Sequence, residues 1–163
     1  MTLAPRNAVI FDVDGTLTPS VLSILRPRHG AADAVRAFCD AGFEIIYLSA
    51  RIRLLQSGLN DWLTKNGFPA GHLHMTQDRA DRTDTAAFKA RVLQRYVDNG
   101  WSFTAAFGDS SSDFQAYVQS GVPLNRIFAL RRKGHTGCQP GVWQGCYGGW
   151  DELRTQIASI LAT

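Results

Sequence analysis

Cysteine is scarce in this chain, three in 163 residues. So small and odd a number argues against a disulfide framework and fits a reducing compartment. Cys39 falls in a helical stretch and reads as a small core residue. His135, Cys138 and Cys146 match no common zinc spacing and lack a fourth ligand. No apolar run approaches the roughly 18 residues that cross a bilayer. The opening Met1–Arg6 holds no apolar segment that would serve as a signal peptide, so a cytoplasmic protein is the default expectation. Charge is sparse too, with 19% charged residues and a net charge of +3. No aromatic-basic stripe is present to track single-stranded nucleic acid, so a nucleic-acid partner is not expected. Repeats and linkers are missing as well. With 45% hydrophobic residues, the length and composition describe one globular domain over 1–163.

What is present is alternation. Short apolar runs at 8–11, 44–48, 72–75, 103–107 and 126–130 read as strands. Helical stretches fall near 31–41, 52–66, 85–99 and 113–120, with 151–162 last. Gly42, Gly67, Gly100 and Gly121 each follow a helix, where a left-handed residue ends it. Strand-helix alternation implies an α/β fold, a parallel sheet covered on both faces as a three-layer α/β/α sandwich. Ligands of such sheets bind beyond the carboxyl ends of the strands. The segment 134–149 differs in composition, with six glycines, and reads as a loop or irregular strand.

The first strand ends in Asp12-Val13-Asp14-Gly15-Thr16. Side chains alternate along a strand, so Asp12 and Asp14 lean to one side, where they repel unless a cation or proton intervenes. Gly15 permits a tight turn or a close approach of the backbone. The second strand ends in Ser49-Ala50-Arg51 and the fourth in Gly108-Asp109-Ser110-Ser111-Ser112-Asp113. Ser49, Ser112 and Asp113 each have a plain alternative as helix N-caps. Three strands delivering such groups to one edge point to chemistry instead. The positive groups Arg26/Arg28, Arg51/Arg53 and Arg131-Arg132-Lys133 read as a solvated rim or as attraction for an anion. His72 and His74 read as surface or packing residues, and Trp143, Tyr147 and Trp150 as core.

Asp12-x-Asp14-Gly15-Thr16, Ser49, a helical Lys89 and Gly108-Asp109 through Asp113, in this order, resemble the motifs of the haloacid dehalogenase superfamily of phosphatases. The resemblance covers essentially the whole chain. It implies Asp12 as nucleophile, forming an aspartyl-phosphate, and Asp14 as general acid and then base. It implies Mg²⁺ held by Asp12, the Asp14 carbonyl, Asp109 and waters. Asp113 would orient those ligands or Lys89. Thr16, Ser49 and Lys89 would bind the phosphoryl group, whose negative charge must be neutralised.

Members of the superfamily often insert cap domains after the first or second motif. Here only 17–30 is left for a flap, which implies a capless, open site. Open sites suit large or surface-bound esters. Tyr47-Leu48-Ser49-Ala50-Arg51 and Ala105-Ala106-Phe107-Gly108 … Asp113 … Tyr117 … Gly121-Val122 … Arg126-Ile127-Phe128 resemble the catalytic domain of lipins and the related C-terminal domain of membrane-associated phosphatidylinositol transfer proteins. One departure is Asp109-Ser110, where those domains usually carry Asn-Arg. The resemblance implies a lipid phosphate such as phosphatidate as substrate, with peripheral membrane contact. The alternatives are a small soluble phosphate ester, with the site closed by oligomerisation, and a non-catalytic phospholipid-binding module.

Overall fold

In a computed structural model, residues 6–163 are described. Most of the opening stretch read for a leader, Met1–Pro5, lies outside the described residues. The chain runs β1 (Asn7–Asp12), α1 (Ala31–Asp40), β2 (Glu44–Ser49), α2 (Leu59–Lys65), β3 (His72–Met75), α3 (Arg79–Thr83) and α4 (Thr85–Asp98). It continues with β4 (Ser102–Gly108), α5 (Ser111–Gln119), β5 (Ile127–Leu130), β6 (Gly145–Tyr147) and α6 (Arg154–Leu161). The six strands pair in parallel in the order β3-β2-β1-β4-β5-β6. This is the three-layer α/β/α fold that the alternation predicts.

Side-chain alternation divides the core. Val9 and Phe11 of β1 face the layer of α1, α2 and α6, while Ala8 and Ile10 face α4 and α5. Both faces are buried, so the strand reads as a continuous apolar run. Phe11 stacks on Phe107 and Phe107 on Phe128, each pair 5.1 Å apart, which ties β1, β4 and β5 together. Full burial of one such ring contributes about 1.5–3 kcal/mol. Trp150 closes this layer and donates its indole N–H to the Thr16 carbonyl at 3.1 Å, consistent with a core residue.

Strand order reverses between β1 and β4, because the chain builds outward through β2 and β3 and then returns to the other side of β1. A crevice opens at that switch, beyond the carboxyl ends. Residues 13–30, between β1 and α1, form turns and bends without a helix or strand, so no cap domain is inserted there.

Three stretches differ from expectation, one of them the short helix α3 over Arg79–Thr83, where the sequence pattern marks none. The helix expected over 52–66 is broken: Arg53–Leu55 forms one 3₁₀ turn, and α2 starts only at Leu59. Gly58, with φ of 80°, stands at the break and cannot continue a right-handed helix. The glycine-rich segment is also more ordered than a loop. It supplies β6, and Cys138 and Cys146 form a disulfide with Cα atoms 5.8 Å apart. The odd cysteine count argues against a disulfide framework, yet one bridge forms. A count of cysteines does not reveal that the chain folds back to lay Cys146 beside Cys138. Cys39 is free and packs against the core, as expected.

Candidate active site

β1 delivers Asp12 to the crevice, and the turn after it delivers Asp14. The turn is built by Val13, whose carbonyl accepts N–H groups from Thr16, Leu17 and Thr18. Gly15 has φ of 87°, and a Cβ there would lie 2.1 Å from the Asp109 carboxylate. Glycine is required on both counts. β4 ends at Gly108 and hands Asp109 to the same edge. Ser110 then caps α5, with Asp113 completing a capping box.

Asp113 is wholly buried and fully used. One carboxylate oxygen accepts the N–H groups of Asp109 and Ser110, both at 3.1 Å, and the other accepts Lys89. Lys89 rises from α4, is buried, and lies 3.2 Å from Asp12. Thr16 Oγ1 sits 3.3 Å from both Asp12 and Asp109. One carboxylate oxygen from each of Asp12, Asp109 and Asp113 lies within 4.8 Å of the other two.

The charges there do not balance without help. Burial and the Asp113 charge push the Asp12 carboxyl well above its usual range, with Lys89 only partly offsetting them. Burial and Asp113 push Asp109 up in the same way. Burial also opposes ionisation of Asp113, but Lys89 and the two backbone N–H groups outweigh it and hold that carboxyl low. Lys89 is held charged despite its burial by Asp113 and Asp12. Asp12 and Asp109, hard oxygen donors destabilised as anions, fit a divalent cation such as Mg²⁺, whereas Asp113 is already satisfied by Lys89 and backbone N–H groups.

Asp14 lies apart from that cluster. Ser49 Oγ donates to it at 2.6 Å, and the Arg51 guanidinium grips its other oxygen. Ser49 is thus placed on the acid. The cleft that holds these groups has a volume of about 380 Å³, and Asp12, Asp14, Lys89, Asp109, Arg51 and Arg132 line it.

A family model described as "PITM 1-3, LNS2 domain" matches residues 9–131, from β1 to just past β5. The chain belongs to the LNS2 family. The LNS2 chain is 32% identical over 149 residues to membrane-associated phosphatidylinositol transfer protein 3 of Mus musculus, covering 85% of this chain and 15% of that protein. It is 28% identical over 158 residues to the phosphatidate phosphatase LPIN1 of Homo sapiens, covering 78% of this chain and 17% of that protein. The LNS2 chain therefore spans less than a fifth of the length of these relatives. Its fold matches that of D,D-heptose 1.7-bisphosphate phosphatase from B. bronchiseptica, complexed with magnesium and phosphate, with a TM-score of 0.62. That match covers 94% of this chain and 98% of the other at 14% identity.

The site residues named from the LNS2 sequence converge: Asp12, Thr16, Lys89, Asp109 and Asp113 share one network, with Asp14 and Ser49 beside it. What the sequence reading missed is the arginines, since a solvated rim was the plainer reading. Arg51 is tied to Asp14, and Arg132 donates to Asp109 at 2.5 Å. Arg28 instead clamps backbone, donating to the carbonyls of Gly15, Thr18, Arg131 and Gly148. Their clustering at strand ends was the available signal. His72 and His74 pair with Glu44 and Tyr96, as packing residues do.

Proposed function

We propose that this cleft hydrolyses a phosphate monoester carried on a lipid, such as phosphatidate, through a phosphorylated Asp12. The observation that carries the reading is the buried Lys89 ammonium shared between Asp12 and Asp113, with Asp109 alongside. No packing purpose calls for three carboxylates and one lysine at a ligand-binding edge, whereas phosphoryl transfer needs both a nucleophile and compensating cations.

Asp12 attacks phosphorus through a carboxylate oxygen as the bond to the leaving alkoxide breaks, and Asp14 supplies that alkoxide with a proton. Asp14, now ionised, takes a proton from water. The water oxygen then displaces the Asp12 carboxylate from phosphorus, releasing inorganic phosphate and restoring both acids. Mg²⁺ held by Asp12, the Asp14 carbonyl and Asp109 would neutralise charge on the phosphoryl oxygens. Lys89 fixes Asp12 for attack, and with substrate bound the Thr16 and Ser49 hydroxyls turn from their carboxylate partners to donate to the phosphoryl group. Asp113 holds Lys89 in place.

Arg51 adds a donor. Among the described residues its buried Nη2 has no hydrogen-bond partner, although its Nε holds Asp14. Arg51 lines the cleft of about 380 Å³, and a phosphoryl oxygen bound there would give this nitrogen a partner. The lipid preference draws on relatives that include phosphatidate phosphatases and membrane-associated lipid transfer proteins.

Turnover of an aryl phosphate and of phosphatidate in mixed micelles tests the reading. Both are expected with Mg²⁺, and neither in EDTA or after Asp12→Asn. Activity surviving chelation would remove the metal, and an active Asp12→Asn chain would remove the nucleophile.

A further inference from the structure

Large apolar side chains left on a surface are ordinary when scattered, but not when gathered around one opening. Among the described residues, Val21, Leu22 and Leu25 on the loop after β1 are exposed, and so are Ile52, Leu54 and Leu55 before α2. Leu22 is 90% exposed, and Leu25 and Leu54 are each 84% exposed, so these tips are not a fringe of the core. The two loops face one another across the catalytic cleft, since Val21, Leu22, Ile52 and Leu55 all line it. They are also braced: the Trp62 indole of α2 donates to the Leu25 carbonyl at 3.0 Å.

Charge on this rim has one sign. Residues 15–32 and 49–60 contain no aspartate or glutamate, yet they carry Arg26, Arg28, Arg51 and Arg53. Arg28 and Arg51 turn inward, whereas Arg26 and Arg53 are exposed beside the aliphatic tips. The exposed rim thus offers aliphatic carbon and arginine, without the aromatic anchors that centre contacts between proteins. Aliphatic tips with flanking cations match an interface where acyl chains lie beneath anionic headgroups.

We propose that this rim seats the protein on an anionic lipid surface, with Leu22, Leu25 and Leu54 entering the acyl boundary and Arg26 and Arg53 at headgroup level. The cleft then opens directly onto the membrane, and its substrate is drawn from the lipid beneath it. That last step rests on the phosphomonoesterase reading above; the docking does not.

The test is sedimentation of the chain with vesicles of phosphatidylcholine, with and without added phosphatidylserine. Phosphatidylserine carries a phosphodiester, so binding is read without turnover. Leu25 and Leu54 do not line the cleft, and circular dichroism with aryl phosphate turnover checks that Leu25→Ser/Leu54→Ser leaves fold and chemistry intact. The wild-type chain is expected to bind the phosphatidylserine vesicles, less so in high salt. The double variant is expected to bind at least roughly tenfold more weakly, because burying even part of two leucines is worth that much. A wild-type chain that ignores the vesicles, or a variant that binds them undiminished, overturns the proposal and leaves the rim to a protein partner. Vesicle binding without any aryl phosphate hydrolysis would keep the docking surface and sink the chemistry. Hydrolysis without binding would do the reverse.

Discussion

Asp14 is caught between Ser49 and Arg51, two partners that compete with its work as a proton donor. Replacing it with Asn keeps the size but removes the proton. Turnover of an alkyl phosphate is expected to fall by roughly 10²–10⁴-fold, read from kcat, and a small effect would exclude it as the acid. Arg51→Lys keeps a charge but loses the planar guanidinium whose Nε holds Asp14 beside the cleft. A fall in kcat/KM of about tenfold or more is expected, the worth of one hydrogen bond to a charged group. At Gly15 the backbone itself is at issue. Gly15→Ala puts a methyl onto the Asp109 carboxylate at a left-handed position, so activity should vanish and the melting temperature fall. The acids were legible in the sequence because two local spacings, 12–16 and 108–113, carry them. The guanidinium groups of Arg51 and Arg132 were not, since a long flexible side chain goes where tertiary neighbours draw it. Counting charge along the chain does not reveal that direction.

The start of α5, which mounts Asp113, is fastened by a local device. Ser110 accepts the Asp113 N–H at the start of α5, and Asp113 returns the favour to the Ser110 backbone before reaching Lys89. Ser110→Ala should cost about 1 kcal/mol of stability as the loss of a cap. Thermal unfolding checks this, and a neutral result would mean that the cap adds nothing beyond the Asp113 contacts. Elements with strong periodicity, such as α1, α4 and the first five strands, were readable from the pattern alone. α2 was not, because its apolar residues continue a helical rhythm across Gly58, where the backbone departs from it. The three-residue β6 carries too little pattern to stand out from the glycines around it. Its place is set by pairing with β5.

On the scale of the whole molecule, parallel strands bring segments from both halves of the chain to one edge, and the glycine-rich segment buttresses that edge. Gln139 and Pro140 accept hydrogen bonds from Ser111 at the start of α5, and the adjoining Cys138 is bonded to Cys146 of β6. Closing so short a loop should contribute about 2 kcal/mol, so Cys138→Ser is expected to lower the melting temperature while Asp12 chemistry persists. An unchanged melting temperature would assign the pair no structural weight. The architecture was legible from strand-helix alternation, whereas the disulfide depended on a fold-back that no spacing announces. The central claim, that Asp12 is phosphorylated in the course of hydrolysis, has one direct measurement. An aryl phosphate has a leaving group that needs no protonation, so Asp14→Asn should still load Asp12 but release it slowly. Mass spectrometry of the acid-quenched variant after reaction with such an ester and Mg²⁺ should find phosphate on the peptide bearing Asp12, and none after Asp12→Asn. Continued phenolate release with that peptide unmodified, or with phosphate on another residue, would contradict the account.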